Sequence, residues 1–110
     1  MRRLKNENVG GDIVKDNEIY QLRDNTTLKN LVLSSTLLHA GKQTTGHKHE
    51  GQEEVYFFVT GKGEMLIDEE RFVVEPGDIV LIEDGEFHRV YNTSQDDLYF
   101  VCVFDGNRNH

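Results

Sequence analysis

Three of the five histidines in this chain fall within two short stretches, together with a carboxylate at a suggestive spacing. His47 and His49 are two residues apart, so on an extended backbone both side chains point to one face. Their Cα atoms would lie about 7 Å apart, close enough for two imidazoles to converge on one ion. A carboxylate a few residues later, beyond a turn, can supply a third ligand. Glu54 fits that role, and the period of two turns Glu53 to the other face. In the second stretch a strand runs into Asp84-Gly85, and His88 opens the strand that follows. Laid beside the first stretch, that strand makes His88 a fourth ligand. Imidazole with carboxylate suits one divalent transition metal ion (Mn, Fe, Co, Ni, Zn or Cu) and suits calcium poorly.

Around these four residues, parity sorts the neighbours. Tyr56 and Phe58 share the inward face with Glu54. Phe58 reads as core, whereas Tyr56 can offer its hydroxyl to a bound ligand and is the candidate catalytic residue. Gln43 and Thr45 lie on the His47 face if that strand is regular. Lys48 and Arg89 each adjoin a ligand histidine and are therefore turned away from the metal. No cation is placed clearly in the mouth of the site, although Arg23, Lys29 or Arg71 can reach it from strands of unfixed parity. His39 reads as structural or solvated, Cys102 as a buried, inert thiol, and the terminal His110 as disordered.

The elements that must position this set are short strands. Segments 18–22, 31–39, 43–47, 53–60, 63–67, 71–74, 78–82, 88–92 and 98–104 are rich in Val, Ile, Tyr, Phe and Thr. Breaks fall at Ala40-Gly41, Gly61-Lys62-Gly63, Glu75-Pro76-Gly77, Asp84-Gly85 and Asn92-Thr93-Ser94. No segment carries the pattern of an amphipathic helix. Many short strands at even spacing predict an all-β barrel or sandwich. Residues 1–10 read as a flexible N-terminal arm and 11–110 as a single barrel domain. Val55-Tyr56-Phe57-Phe58-Val59 and Tyr99-Phe100-Val101-Cys102-Val103-Phe104 are apolar on both faces. Something must cover the outer face, and a homodimer is the preferred reading.

Composition narrows the partners. The 110 residues leave room for one core. A net charge of −8, with no basic cluster beyond Arg2, Arg3 and Lys5, argues against nucleic acid and anionic membrane surfaces. No apolar run approaches a bilayer span, and no apolar segment follows the basic start, so no secretory signal is expected. A single cysteine forms no internal disulfide, which fits a reducing compartment, here the cytoplasm. The partner expected is a small-molecule substrate.

The two stretches also resemble the paired motifs of the cupin superfamily. The first of these is Gly, five residues, His-x-His, three or four residues, Glu, six residues, Gly. It is matched from Gly41 to Gly61, with Glu54 as the glutamate. The second is Gly, five residues, Pro-x-Gly, two residues, His, three residues, Asn. It is matched from Gly77 to Asn92, with Glu83 where proline is usual. The resemblance implies a cupin-type jelly-roll β-barrel, often dimeric, with the metal in its mouth.

A metal held by three neutral imidazoles and one carboxylate stays positive and can polarise a carbonyl. That suits proton transfer through an enediolate, and small stand-alone cupins include sugar and sugar-phosphate isomerases. Redox-active metals in the same cage would suit a dioxygenase. A non-catalytic module binding a small molecule or the metal is the third reading. With no cation in the mouth, the expected substrate is neutral or weakly anionic, or a keto acid.

Overall fold

β-Branched and aromatic residues, alternating in and out, pair into two antiparallel sheets in the computed structural model, which describes residues 1–106. The strands are β1 (Asp12–Asp16), β2 (Tyr20–Asn25), β3 (Leu31–Leu38), β4 (His47–Lys48), β5 (Glu54–Thr60), β6 (Gly63–Ile67), β7 (Glu70–Val74), β8 (Ile79–Ile82), β9 (Phe87–Tyr91) and β10 (Leu98–Asp105). One sheet has the order β1-β2-β3-β10-β5-β8 and the other β4-β9-β6-β7. Every regular element among the described residues is a strand, as expected of an all-β barrel. His110 lies outside the described residues.

The inward faces of both sheets make the core. Leu38, Phe58, Leu98 and Phe100 from the larger sheet meet Met65, Val74 and Val90 from the smaller one, all fully buried. Phe100 is its centre, with ring centroids 5.2 Å from Phe58 and 5.3 Å from Tyr56. The longest ladder is β3 with β10, in register without a break from Leu98↔Leu38 to Asp105↔Leu31. The turn between β5 and β6 needs Gly61. It has φ of +86°, and a Cβ there would stand 2.5 Å from the Asp97 carbonyl oxygen.

Asn92, the last residue of the second motif, is buried and structural. Its side-chain amide donates to the carbonyls of Leu38 and Asp96, at 2.9 and 2.7 Å, and its oxygen accepts from Ser94. Glu83, at the position where proline is usual, donates its backbone N–H to Glu86 Oε1 at 2.8 Å. Proline has no such donor, so the substitution exchanges one way of fixing the turn for another.

Three expectations about elements need correction. Strand β1 had not been anticipated. Its Ile13-Val14 pair is short, exposed and flanked by the charged residues Asp12 and Lys15, and it exists because it pairs with β2. The strand expected over 18–22 begins later, at Tyr20, because Asn17 Oδ1 accepts from the amides of Ile19 and Tyr20 in a turn. The strand expected over 43–47 shrinks to a bridge between Gln43 and Tyr91 and to the two residues of β4. Of residues 1–10, Val9 is buried and its carbonyl accepts from Asn25 Nδ2 at 2.7 Å.

Candidate metal centre

Glu54 opens β5, where Phe104 of β10 and Ile82 of β8 lie across from it in register. Its carboxylate points inward and is buried, while Glu53 is exposed, as parity required. His88 sits on β9, opposite His47 of β4. His49 follows β4 in a loop held from two sides. Gly85 N–H donates to its carbonyl at 2.9 Å, and Gly51 N–H donates to Asp84 Oδ1 at 2.7 Å. The Asp84-Gly85 turn thus clamps the loop that carries His49. Just before His47, a Cβ on Gly46 would fall 1.9 Å from the Phe87 ring, so a larger residue there would have to displace that ring.

These elements bring His49, Glu54 and His88 into one buried cluster, whose nitrogen and oxygen atoms lie within 4.8 Å of one another. His49 Nε2 is 3.2 Å and His88 Nε2 is 3.5 Å from the same oxygen, Glu54 Oε1. His47 stands at the edge of the cluster. Its ring centroid is 5.6 Å from that of His49 and 6.1 Å from that of His88. His88 Nδ1 lies 3.3 Å from the Glu86 carbonyl oxygen, which can only accept. That contact puts the proton on Nδ1 and leaves the Nε2 lone pair facing Glu54.

The donor set fits a transition metal ion. Glu54 Oε1 and His88 Nε2 are fully buried, and no hydrogen bond in the described structure satisfies them. Such atoms are costly inside a barrel unless a partner of opposite charge is held between them. Two imidazole nitrogens with a carboxylate oxygen, and a third imidazole alongside, match the preferences of zinc, manganese, iron, nickel, cobalt or copper. Burial, followed by the charges of His88 and His49, pushes the His47 pKa down to about 4, with Lys15 adding to the effect and Glu54 opposing it. The ring is therefore neutral near pH 7, the form that ligates.

A narrow cavity of about 30 Å³ leads to this cluster and opens to solvent. His47, Glu54 and Tyr56 line it, together with the hydroxyl-bearing Tyr20, Ser34, Thr36 and Thr44. Tyr56 is buried, stacked on Phe100 and edge-on to the His88 ring at 5.8 Å. Thr44 lines the cavity, whereas Gln43 and Thr45, named from strand parity, do not. Segment 43–47 is not a regular strand, because Thr44 Oγ1 itself accepts from Val90 N–H at 3.0 Å. Cys102 is buried, forms no disulfide among the described residues, and lies on the cavity wall.

The cations also differ from expectation. Neither Arg23, Lys29 nor Arg71 reaches the cavity. Arg71 Nε bonds Glu64 at 2.8 Å and its guanidinium lies 3.9 Å from the Tyr91 ring centroid. Arg89 Nε donates to the Thr44 carbonyl. Lys15, on the strand that the sequence reading lacked, lines the cavity instead. The signal for it was weak, an Ile-Val pair between Gly10-Gly11 and Asp16-Asn17.

Comparison with known proteins agrees with this architecture. Residues 35–104 match the cupin domain family. The glucose-6-phosphate isomerase of Thermococcus litoralis is 32% identical over 106 residues, covering 84% of this chain and 56% of that protein. The oxalate-binding protein of Thermotoga maritima is 33% identical over 66 residues, 60% of this chain and 54% of that one. The chain thus spans about half the length of the curated relatives it matches. Among solved structures, KdgF from Halomonas sp. superposes with a TM-score of 0.78 at 19% identity, covering 89% of this chain and 88% of that one. No helix among the described residues is long and apolar enough to cross a membrane.

Proposed function

The chain belongs to the cupin domain family, with its all-β jelly-roll fold, and on that premise we propose that it is a metal-dependent enzyme of the isomerase or epimerase type. Its substrate would be a small, polar, carbonyl-bearing or sugar-like molecule. His47, His49, Glu54 and His88 would hold one divalent transition metal ion. The observation that carries the reading is the convergence of His49 and His88 on one buried oxygen of Glu54, at the end of a hydroxyl-lined cavity. A relative named glucose-6-phosphate isomerase supports the reaction class.

When bound, the metal would supply Lewis acidity toward a carbonyl or hydroxyl oxygen. The chain's own residues do the rest. Tyr20, Ser34, Thr36 and Thr44 present hydroxyl groups along the wall, suited to orienting a polyol by hydrogen bonds. Phe100 and Phe104, the latter paired with Glu54, give the wall apolar surface that would limit water. Tyr56 is the proposed catalytic residue, since its side chain lines the cavity beside Glu54 and can hold or pass a proton at its hydroxyl oxygen.

The relative named oxalate-binding protein supports a second reading, a binding module built on the same cluster. We also propose that a second copy of the chain covers the outer face of β5 and β8. There Val55 faces Leu81 in register, and Ile79 and Leu81 are exposed. Sedimentation of the protein as a monomer at micromolar concentration would count against the dimer.

Elemental analysis of protein purified without added metal, beside His49→Ala, tests the centre. Near-stoichiometric transition metal in the parent, lost in the variant, is expected. Isomerisation of phosphorylated and free aldoses would then follow, with Tyr56→Phe reducing kcat by about a hundredfold or more. A parent that stays empty after reconstitution with each metal ends the metal reading. A loaded protein inert toward every aldose but binding dicarboxylates favours the module.

A further inference from the structure

Strand β1 is irregular, and the irregularity aims one side chain. Ile13 pairs with Arg23, but the next pair is Lys15 with Leu22, so Val14 is an extra residue in the ladder. In an unbroken ladder Val14 would stand opposite Leu22 and Lys15 opposite Gln21. Leu22 faces the barrel interior, buried on the cavity wall. The bulge therefore turns Lys15 to the inward side and gives it a place at the rim of the cavity that holds His47 and Glu54.

Lys15 is also uncommitted. None of the salt bridges and side-chain hydrogen bonds among the described residues involves it. Arg23 by contrast donates to the Gly11 carbonyl, Arg71 is bonded to Glu64, and Arg89 to Thr44. Lys15 is the only Lys or Arg, among the described residues, on the wall of this cavity. Its charge is close enough to help depress the pKa of His47. In a chain of net charge −8, an unpaired lysine turned toward a buried cluster offers an anion a single point of attraction.

We propose that Lys15, presented inward by the β1 bulge, is the specificity-determining residue that binds an anionic group of the substrate, a phosphate or a carboxylate, at the rim of the cavity. The inference rests on the metal-site reading for the other end of the substrate. An elongated polar molecule would thus be held at two points, its oxygens at the histidine–glutamate cluster and its anionic end at Lys15. Of the substrates expected from the sequence, neutral or weakly anionic molecules and keto acids, this reading favours the anionic ones. An ammonium group at an open rim acts as a point charge, so the interaction should weaken with salt.

Calorimetry on manganese-loaded protein tests this, with glucose 6-phosphate and gluconate as probes and metal content measured for each variant. Lys15→Gln should bind at least one probe about tenfold more weakly, 1.4 kcal/mol, with manganese content unchanged. Lys15→Arg should stay close to the parent. The double change Val14→Lys with Lys15→Val, which keeps the charge and moves its position, should behave like Lys15→Gln. Weakening for glucose 6-phosphate alone assigns a phosphate, and weakening for gluconate as well assigns a carboxylate. Equal affinity in parent and Lys15→Gln, or no binding of either anion to the loaded parent, overturns the proposal while leaving the metal centre standing. If the parent takes up neither manganese nor any of the other transition metals, the metal reading fails on its own. Anion binding that still depends on Lys15 in that protein would support the lysine, and binding that does not would overturn it.

Discussion

Glu54 and His49 meet at 3.2 Å, yet they reach that point on two different kinds of backbone. Glu54 belongs to β5, which is flanked on both sides by paired strands in a six-stranded sheet. His49 lies in a loop after a two-residue strand, at the edge of the smaller sheet. Side chains and turns hold that loop more than a ladder does, through Thr44 on Val90, Gly85 on His49, and Asp84 on Gly51. The sheet is stable by burial, whatever the site contains. The two-residue strand and the loop after it place two of the four proposed ligands with few ladder contacts of their own, so a ligand bridging them to β5 would stabilise them most. On the proposed reading one half of the centre is preorganised, and the other half would be completed by what it binds.

The largest effect expected of this contrast is on the sheet side. Phe58→Ala removes a fully buried ring packed on Phe100 at the middle of the core. It should cost about 3–5 kcal/mol of folding stability in urea, with or without metal. A loss below about 1 kcal/mol would mean that the ladder is not the stable half.

Next in size is the effect of removing the metal. At a hundred times Kd, a ligand that binds only the folded state adds about 2.7 kcal/mol. Hydrogen exchange should show where that stabilisation is felt. On chelation, amides of residues 42–52 and of β9 should exchange faster, while those of β3 and β10 stay protected. Uniform acceleration across both sheets would break the contrast, and no change at all would remove the metal's structural role.

The same contrast explains what could be read from the sequence. Where side-chain parity holds along a regular ladder, inference from spacing succeeded. Glu54 was separated from Glu53, and Tyr56 and Phe58 were placed inward on β5. The pairing of His47 with His88 across β4 and β9 also agrees with the spacing argument. Where the ladder breaks, the period of two misleads. Gln43 and Thr45 were expected on the site face, but the chain between the Gln43 bridge and β4 is irregular and Thr44 lies there. Lys15 escaped notice because no strand was expected over residues 12–16, and the bulge there would have inverted its parity in any case. The outer apolar residues of β5 and β8 show a further limit. Periodicity detects a face that needs cover, but it does not say what supplies the cover.

The smallest effect expected concerns His47, the member of the set at the cluster's edge. Its pKa is about 4 in the folded protein against 6.5 ordinarily, chiefly because burial disfavours the charged ring. The unfolded chain therefore binds the proton more readily between these values. Linkage then makes folding stability fall as the pH is lowered from 6.5 to 4, and leaves it unaffected by this group above 6.5. Because His47 is only half-buried, solvent screens part of the effect, and it should be smaller than the metal's. Several carboxylates titrate in the same range, so the informative quantity is the difference between metal-free parent and His47→Gln. That difference should change steadily between pH 6.5 and 4, with the parent losing more stability, and be constant from pH 7 to 8. Parallel curves would show that His47 is as solvated as a surface histidine. It would then stand outside the centre, which would be confined to the three residues His49, Glu54 and His88.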